Sequence, residues 1–209
     1  MSDAKAEVLS RIRGALGERR DVAEVARAYL HTANSSPTEL LEMFAERTTE
    51  YRATVYRTSE TKLKETVAEV CRLRKAKTLV IPTELPDAWK PRAIQFIPDN
   101  SLTNAELSAA DGVLSGCALA VAQTGTLILD GGATQGRRAL TLLPDLHLCV
   151  VFTRQIVGTV PEAVTALRDG ATRPLTLISG PSATSDIELN RVEGVHGPRT
   201  LDILLVEET

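Results

Sequence analysis

The sequence predicts an α/β fold with a mostly parallel sheet and flanking helices, preceded by a helical N-terminal arm. From residue 51 onward, short apolar runs alternate with segments of helical periodicity, which is the order of a βαβ chain. Several of these runs are apolar throughout, as expected for strands that are covered on both faces of a parallel sheet. We therefore divide the chain into an arm over residues 1–50 and an α/β domain over residues 51–209.

Two helices are predicted in the arm. The first has apolar residues at helical spacing, at positions 8, 9, 12 and 16. The second is expected to begin after Ser36, because Glu39 completes a capping box and Pro37 occupies the first helical position. We expect the arm to pack on the α/β domain or on a second subunit.

The α/β domain is expected to contain three helices among its strands. The first has an apolar face at positions 63, 67, 70 and 71. The second begins at a capping box at Thr103 and ends near Gly112, and the third begins at a similar box at Thr159. Strands are predicted over residues 53–56, 78–81, 93–97, 118–122, 127–129, 147–152, 174–178 and 201–206. The fourth and fifth strands are close enough in sequence for a hairpin or a sharp bend.

The composition excludes a nucleic-acid partner. The 209 residues have a net charge of -3, and only 3% are aromatic, so the chain lacks both a basic surface and stacking platforms for bases. The first residues lack the apolar core of a signal peptide, and no run approaches the roughly 18 apolar residues of a membrane span. We expect a cytoplasmic protein with no membrane span.

The three cysteines, Cys71, Cys117 and Cys149, are widely spaced and lie among apolar or small residues. This pattern favours buried, reduced thiols over a disulfide framework. Zinc and iron-sulfur sites need closely spaced thiolates or imidazoles, and the three histidines do not supply them. We therefore expect no metal and no cofactor in this chain.

A dense polar turn follows the seventh predicted strand. Gly180 permits close approach of the backbone to a ligand, and Pro181 fixes φ. Hydrogen-bonding side chains follow at Ser182, Thr184 and Asp186. Because ligands of open α/β sheets bind beyond the carboxyl ends of strands, this turn predicts a site for a small anion. The alternative is an ordinary turn in which Ser182 or Ser185 caps a helix.

A glycine-bearing segment in the middle of the chain supplies further candidates for anion binding. Thr124, Gly125 and Thr126 form one turn, and a second turn ends in the pair Arg137 and Arg138. Its glycines have the spacing of a phosphate loop, but the arginines stand where Lys followed by Ser or Thr is required. Guanidinium groups can still bind a carboxylate or a phosphate with two hydrogen bonds. The alternative is a solvated arginine pair at the end of a hairpin.

A third polar turn supplies a candidate acid or base. His196 lies between Gly194 and Gly197, and an imidazole with a pKa of about 6.5 can donate or accept a proton. Asp186 is the second catalytic candidate, because it follows the Ser- and Thr-rich turn directly. The alternatives are a turn histidine bonded to the backbone and an aspartate that interacts with a helix dipole. His147, at the edge of an apolar strand, is expected to be structural.

Four segments together resemble the LUD-domain family, and within it the lactate utilisation protein C subgroup. They are residues 122–126, 143–147, 179–188 and 194–198, and the resemblance extends from about residue 93 to the end of the chain. The resemblance implies a fold similar to the sugar-isomerase and CoA-transferase-like α/β proteins. It also implies participation in the oxidation of L-lactate to pyruvate, alongside two partner proteins that carry iron-sulfur clusters.

One position departs from the family pattern. The family usually has a glutamate before Thr-Gly-Thr, whereas this chain has Gln123. Glutamine cannot act as a carboxylate nucleophile or base, which argues against a covalent mechanism of the CoA-transferase type at this position.

Two functions are compatible with these patterns, and a third, a stand-alone enzyme that acts on phosphorylated sugars or CoA thioesters, is suggested only by analogy of fold. In the first, the chain is a subunit of a lactate-oxidising complex that binds a small organic acid, through Arg137 or Arg138 and the Gly180 turn. In the second, it is a non-catalytic subunit for assembly or effector binding, with the helical arm as the natural contact.

Overall fold

A computed structural model of the chain describes residues 2–17, 30–168, 173–181, 183–184, 192–193 and 197–208. Five α-helices lie within this part of the chain: α1 Ser2–Leu16, α2 Pro37–Glu50, α3 Leu63–Arg74, α4 Asn104–Ala109 and α5 Val160–Ala166. Its strands are β1 Thr54–Ser59, β2 Thr78–Ile81, β3 Gln95–Pro98, β4 Gly112–Gly116, β5 Leu119–Val121, β6 Thr126–Leu129, β7 Leu146–Phe152, β8 Ile156–Val157, β9 Thr176–Ile178, β10 Ala183–Thr184, β11 Val192–Glu193 and β12 Thr200–Glu207.

The centre of the molecule is a six-stranded sheet in the order β1-β12-β7-β4-β2-β3, with every pair parallel. All seven residues of β7 are buried, as expected for a strand covered on both faces. These observations confirm the predicted α/β class with its mostly parallel sheet.

A smaller sheet has the strand order β8-β5-β6-β9. β5 and β6 form an antiparallel pair, which confirms the hairpin predicted around Gly125. β9 pairs antiparallel with β6, so the seventh predicted strand belongs to this smaller sheet. The short strands β10 and β11 form a separate antiparallel pair.

The two faces of the central sheet are covered by different elements. On one face, Leu63, Val67 and Val70 of α3 pack with apolar side chains of the central strands. On the other face, Phe44 of α2 and Leu127 of β6 belong to a second apolar cluster with alternate residues of β7 and β12. The molecule therefore has three layers, and the third layer combines α2 with the smaller sheet.

The predicted capping boxes are present at three helices. Ser36, Thr103 and Thr159 each accept a hydrogen bond from the third backbone amide of the helix that follows. The glutamate at that third position accepts a hydrogen bond from the backbone amide of the cap residue. All three predicted helix starts are confirmed, whereas the second domain helix ends at Ala109, earlier than expected.

One central strand was not predicted. β4 lies between β7 and β2 in the sheet, over residues for which the sequence analysis places no strand. Its first and last residues are Gly112 and Gly116, which are unfavourable in strands and obscure the pattern.

The two helices of the arm differ in their surroundings. Phe44 of α2 is fully buried against the α/β domain. The apolar residues of α1 are all exposed, namely Val8, Leu9, Ile12 and Leu16. The division of the chain at residue 50 stays a prediction. Over the described ranges, no helix combines the length and the apolarity needed to cross a bilayer.

Candidate functional site

Two adjoining cavities lie between the smaller sheet and the central sheet. The larger, of about 630 Å³, is bordered by the residues that follow β2 and β3 and by the loop after β6. The smaller, of about 200 Å³, is bordered by the turn after β9 and by His147 and Leu201, the second residues of β7 and β12. Arg138 and Thr141 line both cavities, so they form part of the wall between them.

The larger cavity contains two arginines that already bind carboxylates. Arg137 donates from Nε to Asp99 Oδ2 at 2.7 Å, and a second nitrogen donates to Oδ1 at 2.9 Å. Arg173 lies 2.6 Å from Asp130. Each guanidinium is thus largely neutralised within the protein, which reduces its capacity to bind an external anion.

Arg138 is in a different situation. Its guanidinium donates to the hydroxyl of Thr141 at 3.2 Å, and within the described part of the chain no carboxylate forms an ion pair with it. Partial desolvation lowers the pKa of Arg138 below its ordinary value although much of the side chain stays exposed, whereas the hydrogen bond to Asp99 raises the pKa of Arg137. A bound anion would supply the opposite charge that Arg138 lacks, so Arg138 is the better anion receptor of the predicted pair.

The turn predicted around Gly180 lines the smaller cavity. Ser179, Gly180 and Pro181 contribute to its wall, and Pro198 does so from the other side. Gly180 has a φ of +79°, and a Cβ atom at this position would lie 2.3 Å from the carbonyl oxygen of Tyr51. Only glycine therefore fits this turn, because both the backbone conformation and the contact with the end of α2 exclude a side chain.

The turn of Thr124, Gly125 and Thr126 lies beside this wall but does not line either cavity. Thr126 Oγ1 is 2.7 Å from Thr124 Oγ1 and 2.8 Å from Ser179 Oγ. Gly125 packs against α2, where a Cβ atom would lie 2.8 Å from the backbone of Arg47. Thr126 holds the Gly180 turn in place through Ser179, and Thr124 supports Thr126. The sequence suggested both threonines as ligands, but in the structure they support the cavity wall.

His147, which the sequence analysis interpreted as structural, is a further residue of the candidate site. It is 1% exposed and lines the smaller cavity. Its Nε2 lies 2.7 Å from the hydroxyl of Ser115, which is on the unpredicted strand β4. In the sequence, a histidine within an otherwise apolar strand could have indicated a site residue. Its hydrogen-bonding partner, Ser115, could not be identified because β4 was not predicted.

Two buried thiols, Cys117 and Cys149, lie next to the pair formed by Ser115 and His147. A hydrogen bond with Cys117, and further the neighbouring His147, lower the pKa of Cys149, while burial acts in the opposite direction. The three cysteines are all buried, as expected, and none forms a disulfide. The described residues include no group of three or more His, Cys, Asp or Glu side chains arranged to hold a metal ion.

Several predicted residues cannot be placed. Ser182, Asp186 and His196 lie outside the described residues. The backbone of Thr184 is in β10, opposite Val192. Gly197 precedes Pro198, which lines the smaller cavity.

The two cavities border different ends of the parallel strands but adjoin, because the strands are staggered: His147 of β7 is level with Val113 of β4, and Val113 is level with Val80 of β2. The larger cavity is beyond the carboxyl ends of β2 and β3, where ligands of open α/β sheets are expected. The smaller cavity is at the amino ends of β7 and β12, although the Gly180 turn follows the carboxyl end of β9 as predicted.

Comparison with known proteins identifies one family model and relatives of similar length. The family model for the LUD domain matches residues 41–206. A protein of Deinococcus radiodurans named "Lactate utilization protein C" is 44% identical over 210 residues, covering 98% of this chain and 96% of that protein. A protein of the same name from an Exiguobacterium species is 29% identical over 221 residues, covering 97% and 95%.

A solved structure agrees with this relationship. The crystal structure of a DUF162 family protein from Deinococcus radiodurans is 40% identical, with a TM-score of 0.73, and covers 82% of this chain and 99% of that chain. The family match includes both strands that carry the Ser115 and His147 pair and the turn that carries Gly180. The family model matches most of the chain, and the relatives are of nearly equal length. This chain therefore belongs to the LUD-domain family.

Proposed function

We propose that this chain is a subunit of a lactate utilisation system and binds a small organic carboxylate in the cavity beside Arg138. The observation that carries the proposal is the positive charge of Arg138, which has no carboxylate partner within the described residues and faces both cavities. The role in lactate utilisation is supported by the relatives of that name, which match this chain over nearly its full length.

The dimensions of the smaller cavity support a small ligand. Its volume of about 200 Å³ is below the roughly 300–1,000 Å³ of sites for drug-sized molecules. A molecule with few heavy atoms fits such a space, with its carboxylate on Arg138 and the rest of the molecule near the Gly180 turn. Arg138 can bind both carboxylate oxygens through its planar guanidinium.

The proposed reaction is the oxidation of L-lactate to pyruvate. It removes two electrons and two protons from the substrate, and in this proposal the electrons pass to iron-sulfur clusters carried by partner proteins. His196 and Asp186 are the candidates from sequence for handling the protons. Their contribution is tested by combining the His196→Ala or the Asp186→Ala protein with the partner proteins and measuring the rate of pyruvate formation. An unchanged rate in either variant would exclude the replaced residue from the mechanism.

Calorimetric titration with L-lactate tests the binding site. A hydrogen bond to a charged group contributes about 1.5–3 kcal/mol, so Arg138→Ala should weaken binding by roughly 10- to 100-fold. Arg138→Lys should retain part of the affinity, because it keeps the charge but not the planar fork. Arg72→Ala, on the opposite face in α3, is the matched control and should bind as the unmodified protein does. Equal lactate affinity in the Arg138→Ala variant would refute the proposed site.

The exposed apolar residues of α1 favour a second candidate function, assembly with partner proteins. Four such residues, Val8, Leu9, Ile12 and Leu16, are exposed on a single 15-residue helix. In this candidate, removal of residues 1–17 abolishes co-purification with the iron-sulfur proteins and leaves lactate affinity unchanged. Retained co-purification would argue against it.

A further inference from the structure

Among the polar side chains of the smaller cavity, His147 is a further candidate ligand beside Arg138. His147 is almost fully buried and lines this cavity, although it is the second residue of a strand whose other residues are mostly apolar. Burying a polar side chain is unfavourable unless it is hydrogen-bonded, so its partners indicate what the ring is able to bind.

Ser115 fixes one nitrogen of the imidazole ring. Its hydroxyl is 2.7 Å from His147 Nε2 and 3.1 Å from the carbonyl oxygen of Gly116. A hydroxyl has one proton, so it donates either to the ring or to this carbonyl. When it donates to the ring, Nδ1 carries the ring proton and is a donor; when it donates to Gly116, Nε2 carries the proton and Nδ1 is an acceptor.

A second described neighbour of the ring is a weak partner. Cys149 lies beside His147 on the same face of β7, and its thiol interacts with the ring. A thiol is a poor hydrogen-bonding group in comparison with a hydroxyl or a carbonyl. The ring therefore retains the capacity for a stronger bond with an oxygen atom of a ligand.

We propose that His147, oriented by Ser115, binds the oxygen on carbon 2 of the acid and makes the site selective for 2-hydroxy and 2-oxo acids. With Nδ1 as an acceptor, the ring binds the hydroxyl of a 2-hydroxy acid. With Nδ1 as a donor, it binds the carbonyl of a 2-oxo acid. These two states differ in the orientation of the Ser115 hydroxyl and in which ring nitrogen carries the proton. Moving between them therefore requires rotation of the hydroxyl together with a proton exchange with solvent, in which one ring nitrogen loses a proton and the other gains one. One site thus accommodates both members of the pair. This inference rests on the proposed function, because it assumes that Arg138 binds the carboxylate.

The proposed contact predicts discrimination among three acids of similar size. L-Lactate and pyruvate have an oxygen on carbon 2, whereas propionate has none. A site with a polar group for that oxygen leaves the group unpaired when propionate binds. Lactate and pyruvate should therefore bind about 5- to 10-fold more tightly than propionate, which is the typical net effect of one hydrogen bond.

Variants separate this inference from the proposed function. Ser115→Ala and His147→Gln should lower the affinity for lactate and pyruvate to that for propionate, without changing propionate binding. Arg138→Ala should weaken all three acids equally. Cys71→Ala, a buried cysteine on the opposite face of the sheet, is the control and should change none of the affinities. Thermal unfolding of each variant verifies that it is folded.

Nitrogen NMR of histidine-labelled protein provides a direct measurement. The chain has only three histidines, and the signal lost in His147→Gln identifies that of His147. Lactate should shift the Nδ1 signal of His147, and propionate should not. The inference is overturned if lactate shifts only the signals of His31 or His196, or if the unmodified protein binds lactate and propionate equally. The proposed function survives either result as long as Arg138→Ala weakens binding.

Discussion

Arg137 binds the carboxylate of Asp99 through two hydrogen bonds, of 2.7 and 2.9 Å. Asp99 follows β3 and its side chain is only 6% exposed, so this pair connects the edge of the central sheet to the loop after β6. Asp99 also accepts a hydrogen bond from the backbone amide of Leu102. Arg137 therefore stabilises the wall of the larger cavity, while its neighbour Arg138 is available to a ligand.

Arg137→Ala should reduce stability and leave lactate affinity unchanged. The hydrogen bonds from Arg137 hold the pKa of Asp99 below its ordinary value. A carboxylate with a lowered folded pKa stabilises the protein above its unfolded pKa of about 3.9, and this contribution is lost as the pH falls through the folded pKa. The melting temperature of Arg137→Ala should thus lie below that of the unmodified protein at neutral pH.

Melting curves between pH 3 and pH 7 test this assignment. The difference between the two proteins should be constant above about pH 5 and decrease below about pH 4. Arg138→Ala, which removes no ion pair with a described carboxylate, should not show this dependence on acid. A lower lactate affinity in Arg137→Ala, at unchanged fold, would contradict the separation of roles between the two arginines.

Local patterns were sufficient to predict much of the fold. The capping residues Ser36, Thr103 and Thr159 act on adjacent helix turns, so they can be recognised without tertiary information. β4 could not be recognised in this way. Gly112 is required by the close approach of β7, since a Cβ atom there would lie 2.8 Å from the carbonyl oxygen of Leu146. In the sequence, a glycine that permits such packing is indistinguishable from one that ends a helix.

The missing strand also explains the incomplete prediction of the site. Ser115 is on β4, and its hydrogen bond to His147 joins residues that are 32 positions apart. Without that strand, His147 has no visible partner and is naturally interpreted as structural. The Gly180 turn was predictable because its glycine and proline lie together in the sequence. The different partners of Arg137 and Arg138 were not, because Asp99 is distant along the chain.

Gly180→Ala should destabilise the protein more than Gly131→Ala does. Both glycines have positive φ, of +79° and +68°. Alanine at Gly131 meets nothing closer than 3.7 Å, so its cost is the conformational strain of about 1–2 kcal/mol. Alanine at Gly180 would in addition clash with Tyr51, which adds roughly 1–3 kcal/mol.

Urea unfolding gives both free energies, and lactate titration gives a second measurement. Because Gly180 lines the smaller cavity, Gly180→Ala should also weaken lactate binding. Equal losses of stability in the two variants would mean that Tyr51 does not constrain this turn.

Phe44→Ala should cost far more stability than Ile12→Ala. Phe44 is fully buried against the α/β domain, and truncation of such a phenylalanine costs about 3–5 kcal/mol. Ile12 is exposed on α1, so its replacement should change the free energy of unfolding by less than about 0.5 kcal/mol. Chemical unfolding of both variants measures the difference. A comparable cost at Ile12 would show that α1 packs on the protein in solution.

Replacement of Arg74 should lower the free energy of unfolding, because Arg74 forms an ion pair with a buried aspartate of the central sheet. Asp202 on β12 is fully buried, and Arg74 at the end of α3 donates to both of its oxygens, at 2.6 and 2.8 Å. Arg74→Met leaves this carboxylate without its partner, which should cost about 3 kcal/mol because an unpaired buried charge is strongly unfavourable. Circular dichroism during urea unfolding measures the loss.

The double variant with Asp202→Asn distinguishes an ion pair from simple packing. Removing the negative charge as well should restore part of the lost stability, so the effects of the two substitutions should not be additive. If the losses of stability caused by Arg74→Met and by Asp202→Asn are instead additive within about 0.5 kcal/mol, the two residues act independently. In that case α3 is held to the sheet by its apolar face alone, through Leu63, Val67 and Val70.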